Sequence, residues 1–275
     1  MDATEPTDVT EPTERLRVVI VSINEYYYIP KFLRRVVEAE SIEIVGITTT
    51  PPSLGTQNIL AFAYDLFETF GPRVFCKHTA FYGKHFLLDV INRMSNTGAS
   101  YSCRTLADRH GIEYRHVTDV NSRDYIDYVE SKAPDVLVSV AATQKFEPRL
   151  LAVPTERAIN IHSSLLPEYR GVSPSFWTML NDEPETGVSV HLMDEDLDSG
   201  DVIRQEPIEI RDDDTLHTLN TRVAEVGSEV LLQALVDIDS GSLNRTPIDP
   251  DAGSYYSMPS QSDVRAFREG GRRFY

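Results

Sequence analysis

The chain has 275 residues, which is enough for one large domain or for one domain with a small appendage. Its composition, 41% hydrophobic and 25% charged, is typical of a soluble globular protein and excludes collagen-like, coiled-coil and wholly disordered chains. Forty-three acidic against 26 basic residues give a formal charge of −17, which opposes general binding to nucleic acid or to an anionic membrane.

The first part of the chain predicts a tail followed by a β-α-β unit. Residues 1–15 are mainly Thr, Pro and acids and lack the hydrophobic run of a signal peptide, so we expect a disordered acidic tail. β-branched runs at 17–23 and 42–48 predict strands, and a helix over 30–40 lies between them. Residues 57–97 then have a helical pattern with a break at Gly71-Pro72.

The middle of the chain continues the alternation of strands and helices. Residues 135–142 are apolar almost throughout, as expected for a parallel strand that is covered on both faces. The other predicted elements are helices over 104–110, 122–132 and 173–180, the last capped by Ser173, and strands over 112–117, 158–162, 187–193 and 202–210. This order predicts an α/β domain over residues 16–206 with a doubly wound, mostly parallel, Rossmann-like sheet.

Residues 207–275 are expected to form a small C-terminal helix-plus-turn segment. Asp212, Asp213 and Asp214 begin a helical pattern with an apolar stripe that ends near Gly241. The remaining residues have turn chemistry but little core.

Cysteines and charge indicate the compartment. The two cysteines, Cys76 and Cys103, lack the spacing of a zinc site and are too few for a disulfide framework, so we predict free thiols in the cytoplasm. No apolar run reaches the roughly 18–20 residues that a membrane span needs. Because the acids are spread along the chain, and 21 of the 26 basic residues are Arg, our hypothesis is a halophile-like protein from a salt-rich cytoplasm.

Polar residues stand out on the strand over 158–162. Asn160 and His162 share one face of this strand because strand side chains alternate, and this face is either wetted at a cleft or satisfied within the core. The chain then turns sharply off the carboxyl end of the strand, the edge at which open α/β sheets bind ligands. Downstream, Asp194, Glu195, Asp196 and Asp198 form an acidic stretch that is typical of a solvated turn or a cation site, although it lacks the closing Glu of a calcium loop.

Taken together, these segments resemble the core signature of the folate-dependent formyltransferases, a family that includes the methionyl-tRNA, glycinamide ribonucleotide and amino-sugar-nucleotide formyltransferases. The resemblance is dense over about residues 135–206. It rests on the segments Asn160-Ile161-His162-Ser163-Ser164-Leu165-Leu166-Pro167, Tyr169-Arg170-Gly171, Glu185-Thr186-Gly187-Val188 and Leu197-Asp198-Ser199-Gly200-Asp201. It implies that the chain is an enzyme that moves a formyl group from 10-formyltetrahydrofolate to a primary amine without a metal.

The resemblance also implies which residues form the site. Asn160, His162 and Asp198 would be the catalytic residues. An amide or imidazole N–H can stabilise the charge that develops on the formyl oxygen, and Asp198 beside His162 would favour the imidazolium and could pass protons. Either His162 or Asp198 could be the base. The implied folate contacts are Gln144, Lys145, Phe146, Ser164, Leu165, Leu166, Pro167, Asp194, Glu195, Asp196 and Leu197. His191 lies near this site in strand register and is interpreted as structural.

The acceptor is the least determined part of the prediction. Asn24, in the loop after the first strand, and Arg170 are candidate acceptor contacts, although Arg170 suits a surface ion pair with Glu168 equally well. We expect a small amine, with an amino-sugar nucleotide as the leading example, because the acidic C-terminal segment differs from the basic domain of methionyl-tRNA formyltransferases. Those enzymes are the first alternative, and a formyltetrahydrofolate hydrolase or a non-catalytic folate-binding protein is the next. The oligomeric state, a homo-oligomer included, is left open.

Overall fold

The computed structural model describes residues 15–52, 59–95, 98–194 and 198–275. Residues 1–14 of the predicted tail lie outside these ranges. The strands are β1 (Leu16–Ile23), β2 (Ile42–Thr50), β3 (Tyr114–His116), β4 (Val136–Val140), β5 (Arg157–His162), β6 (Arg170–Gly171), β7 (Glu185–Leu192), β8 (Val202–Glu209) and β9 (Tyr255–Tyr256). The helices are α1 (Tyr28–Val37), α2 (Ile59–Ser95), α3 (Cys103–His110), α4 (Arg123–Lys132), α5 (Pro148–Leu151), α6 (Pro174–Leu180), α7 (Leu216–Asp239) and α8 (Gln261–Glu269).

Seven strands form one sheet in the order β3-β2-β1-β4-β5-β7-β8. The pairs from β3 through β5 are parallel, whereas β7 and β8 run antiparallel. This confirms the predicted doubly wound, mostly parallel α/β fold. Strand order reverses between β1 and β4, and sheets of this kind bind ligands outside the carboxyl ends of the strands at such a reversal.

The core lies on both faces of the sheet because side chains alternate along each strand. Val18 and Ile20 of β1 belong to the larger buried cluster, which includes apolar residues of α1, α3 and α7. Val19 and Val21 point to the other face and belong to the cluster that includes α4. Burial on both faces explains why β1 and β4 are apolar almost throughout.

Helix α2 has the predicted break, since Gly71 takes a φ of 72° and a ψ of 167°, and Pro72 follows it. The inner side of this helix lies over the carboxyl ends of the strands. Its outer side carries exposed apolar side chains, among them Leu60, Leu87 and Met94. No helix within the described ranges is long and apolar enough to cross a membrane.

Residues after β8 pack against the rest of the fold. Helix α7 contributes Leu219, Leu231 and other side chains to the larger core cluster. The short strand β9 pairs in parallel with β6 in a separate two-stranded sheet. Phe267 of α8 stacks on Phe176 of α6, with ring centroids 4.7 Å apart.

Two helix starts differ from the sequence prediction. Ser173 precedes α6, but it has a φ of 57° and its side chain makes no capping hydrogen bond, so its Oγ does not cap the helix as predicted. Helix α7 is capped by Thr215, whose hydroxyl accepts the N–H of Thr218. Asp214 lies outside the helix, where Arg222 binds its carboxylate.

Candidate active site

A cavity of about 850 Å³ lies at the carboxyl ends of β1, β4 and β5. Its volume falls in the upper part of the roughly 300–1,000 Å³ range of small-molecule sites. Helices α2 and α7, the β1–α1 loop and the segment after β4 form its walls. Asn160, His162, His191 and Asp198 all line it, and we call these four residues the polar cluster.

Strand pairing brings three members of the polar cluster together. Asn160 and His162 point to one face of β5, and Asn160 lies opposite His191 of the antiparallel strand β7. The amide Nδ2 of Asn160 is 3.0 Å from Nε2 of His191. The predicted wetted cleft is therefore present on this face of the sheet.

Asp198 reaches the cluster from the loop between β7 and β8, where it has a φ of 52°. Its Oδ1 accepts a hydrogen bond from Asn160 Nδ2 at 3.3 Å and lies 3.6 Å from His162 Nδ1 and 3.5 Å from His191 Nε2. Its Oδ2 accepts the backbone N–H of Gly171 at 3.0 Å. The carboxylate is thus surrounded by residues of three strands, β5, β6 and β7.

The hydrogen bonds of the two histidines assign their protons. Nε2 of His162 is 2.9 Å from the carbonyl oxygen of Tyr169, so it carries the proton and leaves Nδ1 facing Asp198. Nδ1 of His191 is 2.8 Å from the carbonyl oxygen of Leu192, so Nε2 is the acceptor for the amide of Asn160. These tautomers follow from partners that can only accept.

Burial lowers the pKa of His162, and this outweighs the opposite effect of the nearby Asp198 carboxylate. The imidazole is therefore neutral near pH 7. Asp198 favours the imidazolium, as expected, but desolvation of the ring outweighs this effect and leaves the pKa of His162 below its usual value.

The pKa of Asp198 is lowered although burial acts to raise it. A positive charge on His162 or His191 and the backbone N–H of Gly171 favour the carboxylate and outweigh the desolvation of the carboxyl group. Asp198 is thus ionised and a weak base, whereas Nδ1 of His162 is a neutral base beside an anion. A proton taken up by this nitrogen would be stabilised by the carboxylate.

Three of the predicted folate contacts line the cavity after β4, namely Gln144, Lys145 and Phe146. The side chain of Gln144 is bonded to the backbone of Thr118 and Val120, and Phe146 is buried in the smaller core cluster. These two residues shape the loop. We call the part of the cavity lined by residues 140–146 and Asp194 the donor end.

The four predicted contacts Ser164–Pro167 lie outside the described lining of the cavity. Ser164 donates its hydroxyl to the Glu168 carbonyl, and the N–H of Leu166 is bound by Ser189. Leu165 packs so tightly on Gly187 that a Cβ there would lie 2.4 Å from it. This loop supports β7, and its contact with folate stays a prediction.

The remaining predicted contacts divide into three groups. Asp194 and Asn24 line the cavity, and Asp194 accepts the Ser199 hydroxyl at 2.7 Å. Glu195, Asp196 and Leu197 lie outside the described residues. Arg170 belongs to β6 and is absent from the described lining.

Within the described ranges, no group of three or more His, Cys, Asp or Glu residues has the arrangement to hold a metal ion.

His191 is the site residue that sequence analysis interpreted as structural. The sequence of β7 already indicated a polar face, because Ser189 and His191 alternate with buried Val188 and Val190. The strand register alone could not tell which of these polar residues reaches Asn160. The antiparallel pairing of β5 with β7 decides it.

Comparisons with known proteins agree on the fold and on the central region. A family model described as formyl transferase matches residues 93–235. A methionyl-tRNA formyltransferase from Geotalea uraniireducens (strain Rf4) is 36% identical over 160 residues, which cover 58% of this chain and 51% of that protein. The chain thus spans about half the length of the curated relatives it matches.

Solved structures share the fold over most of the chain. A sugar N-formyltransferase from a Shewanella species has a TM-score of 0.55 at 18% identity, covering 88% of this chain and 77% of that one. Glycinamide ribonucleotide transformylase 1 from Symbiobacterium toebii has a TM-score of 0.59 at 15% identity, covering 86% and 95%. At these identities the likeness shows the fold alone.

Proposed function

The chain belongs to the formyl transferase family, and from this premise we propose that it transfers a formyl group from 10-formyltetrahydrofolate to a primary amine. The observation that carries the proposal is the convergence of Asn160, His162 and Asp198 on one wall of the cavity, within the matched region. Two free thiols, Cys76 and Cys103, support a reducing cytoplasm as its location.

The reaction needs a proton acceptor for the attacking amine. We assign this role to Nδ1 of His162, a residue that lines the cavity; this nitrogen is unprotonated and lies 3.6 Å from the anion of Asp198. Asp198 would stabilise the imidazolium that forms. This assigns the base to His162 because the lowered pKa of Asp198 makes the carboxylate the weaker proton acceptor.

Negative charge develops on the formyl oxygen as the amine attacks the formyl carbon. Nδ2 of Asn160 is the proposed donor to this oxygen. Its contact with His191 is 3.0 Å and its contact with Asp198 is the longer one, 3.3 Å, so the hydrogen that faces Asp198 is the one that would turn to the formyl oxygen.

The donor end suits a folate. Val140, Ala142 and Met193 offer an apolar wall for a planar ring, and the backbone of the loop that follows β4 can bind the ring edge. Lys145 supplies a positive charge for the carboxylates of the glutamate tail. When bound, 10-formyltetrahydrofolate supplies the formyl carbon and accepts a proton on the nitrogen that carried it.

Two classes of acceptor follow from the relatives. An amino-sugar nucleotide was the leading expectation, and fold neighbours include a sugar N-formyltransferase. Methionyl-tRNA is the second candidate, and it is favoured by the 36% identity to a methionyl-tRNA formyltransferase over 58% of this chain. We propose residues 16–206 as the formyl-transferring domain and 207–275 as an accessory segment.

The test measures release of tetrahydrofolate from 10-formyltetrahydrofolate with a panel of amines. We expect Asn160→Ala, His162→Ala and Asp198→Asn each to lower kcat by about 10²–10⁴-fold without unfolding the chain. His110→Ala and Asp108→Asn, which change the same residue types at exposed positions on α3, serve as matched controls. Full activity in the three site variants would contradict the proposed roles.

A further inference from the structure

One part of the cavity has apolar walls. We call this part the aromatic chamber and define it by Tyr28, Phe62, Phe70, Phe75, Tyr82 and Phe274. These side chains come from the start of α1, from α2 and from the segment after α8. The donor end is formed by other residues, those after β4 and Asp194, so we take the chamber as the part of the cavity that is left for the acceptor.

The pattern of α2 explains the wall. Phe62, Leu66 and Phe70 follow one another at intervals of four residues, so they share one face of the helix. After the break at Gly71, Val74, His78 and Tyr82 repeat the same spacing. All six line the cavity and are half-buried. An apolar ligand in the chamber would complete the burial of this face.

The chamber has no cation to receive a phosphate. All 26 Lys and Arg residues lie in the described ranges, since residues 1–14, 53–58, 96–97 and 195–197 contain none. Of these 26 residues, Lys145 alone lines the cavity, and it belongs to the donor end. Phosphate sites in proteins are built from Arg or Lys charges or from helix N-termini. At the starts of α1 and α7, the N–H groups of Ile29, Leu216 and His217 are already bound within the fold.

The titratable groups that line the cavity beside the chamber also supply no positive charge. Burial lowers the pKa of both His78 and His217, so neither imidazole supplies a positive charge near pH 7. Glu25 also lines the cavity, and its carboxyl group accepts the N–H groups of Tyr27 and Ile29 at 2.8 Å. Burial raises the pKa of Glu25; this carboxyl group supplies no positive charge, and its oxygens are occupied by the backbone.

We propose that the acceptor is a primary amine on an aromatic or branched aliphatic body that carries neither phosphate nor carboxylate. The proposal rests on the proposed formyl transfer, and it replaces the two phosphate-bearing acceptors named there by a third class. The amine nitrogen bonds to the formyl carbon, the bond from that carbon to the folate nitrogen breaks, and the proton lost by the amine passes to the folate nitrogen. The products are a formamide and tetrahydrofolate.

The chamber residues that would select the acceptor lie outside the region matched by the family model. The α2 residues of the chamber all precede residue 93, where the family match begins, and Phe274 follows residue 235, where it ends. The polar cluster, by contrast, lies wholly within the matched range. The family match therefore carries no information about the chemistry of the chamber wall.

The first experiment measures binding by calorimetry, in the presence of 5-formyltetrahydrofolate, of phenethylamine and of O-phosphoethanolamine. We expect phenethylamine to bind at least about tenfold more tightly. Leu66→Lys, which places a cation in the chamber wall, should reverse this preference. Leu87→Lys, on the exposed outer side of the same helix, is the matched control and should leave it unchanged. If Leu66→Lys does not fold, Phe75→Ala should weaken phenethylamine binding by about tenfold.

Turnover distinguishes this proposal from the proposed function. If phenethylamine binds but no amine releases tetrahydrofolate, formyl transfer is wrong and the chamber assignment stands. Preferred formylation of O-phosphoethanolamine, of an amino-sugar nucleotide or of methionyl-tRNA would overturn the apolar acceptor and leave formyl transfer intact. Equal binding of both probes, or binding of neither, would also overturn it.

Discussion

His162 is the residue on which the proposed acid–base chemistry depends. Its Nε2–H is fixed by the carbonyl of Tyr169, and its Nδ1 faces an ionised carboxylate inside a cavity. The ring is neutral because burial lowers its pKa. The protein thus keeps a proton acceptor ready without exposing it to bulk water.

The first residue-scale prediction concerns pH. On the proposed role the neutral imidazole is the active form, and burial holds the pKa of His162 below the ordinary value of about 6.5, so the midpoint of the acid limb of kcat should lie below about pH 6.5. Asp198→Asn removes the group that raises this pKa, so the remaining activity should fall at a still lower pH. A pH–rate profile of both proteins tests this, and an acid limb above pH 6.5 in the unaltered enzyme would contradict it.

His191 is expected to act as a positioning residue. Its Nε2 accepts a hydrogen of the Asn160 amide, which fixes the direction of the other hydrogen. His191→Leu should lower kcat by about 10²-fold, the loss that a misplaced reacting group causes, with KM for the folate unchanged. His191→Gln keeps an acceptor and should recover part of the rate. Equal loss in both variants would indicate a packing role only.

Sequence analysis found Asn160, His162 and Asp198 because alternation on one strand and a spaced motif are local signals. The predicted folate contacts of Ser164–Pro167 stay predictions, and Ser164 and Leu166 also bond within the fold. The interpretation of His191 as structural is likewise untested. Its contact with Asn160 depends on which strands pair, and a single sequence does not contain that information in local form.

At the scale of elements, β6 connects the polar cluster to the end of the fold. Gly171 donates its N–H to Asp198, and on its other side β6 pairs with β9. Gly171 has a φ of +93°, and a Cβ there would lie 2.2 Å from the carbonyl oxygen of Tyr256. A side chain at this position would have to displace β9.

Gly171→Ala should therefore lower both stability and kcat. Gly111 provides the matched control, because it also has a positive φ, +68°, but open space around its Cβ position. Gly111→Ala should cost about 1–2 kcal/mol from the backbone alone, and Gly171→Ala should cost roughly 1–3 kcal/mol more from the clash. Urea unfolding and kcat measurements test this, and equal losses in the two variants would contradict it.

Most elements were predictable because they are long and strongly patterned. The apolar runs of β1 and β4 and the break in α2 at Gly71-Pro72 are confirmed. The pairing of β9 with β6 was not predicted, since each strand has two residues and the partners lie 85 positions apart. The prediction that Ser173 caps α6 was wrong, because Ser173 has a positive φ that turns its side chain away from the helix N–H groups.

At the scale of the whole molecule, the formal net charge of −17 is the feature that we expect to affect stability most. Many of the described ion pairs are exposed, such as Arg35 with Glu229, and contribute little individually. Self-repulsion between the excess acids destabilises the compact state unless salt screens it. The halophile hypothesis rests on this balance between the self-repulsion of the acids and its screening by salt, and it stays a prediction.

The melting temperature should rise between about 0.1 M and 1 M KCl, over which the screening length falls from about 10 Å to about 3 Å. Differential scanning calorimetry measures this directly. A melting temperature that is unchanged or lower in 1 M KCl would remove the halophile hypothesis. The polar cluster is buried and should respond less to salt than the surface does.

The pairing of β6 with β9 also bears on biosynthesis. Tyr255 and Tyr256 leave the ribosome 84 residues after Gly171, because translation proceeds from the N-terminus. A nascent chain that already holds Asn160, His162 and Asp198 thus still lacks the strand that braces the Asp198 anchor. A chain that is truncated before residue 255 would therefore lack the partner strand of β6, so the orientation of Asp198 is set only near the end of synthesis.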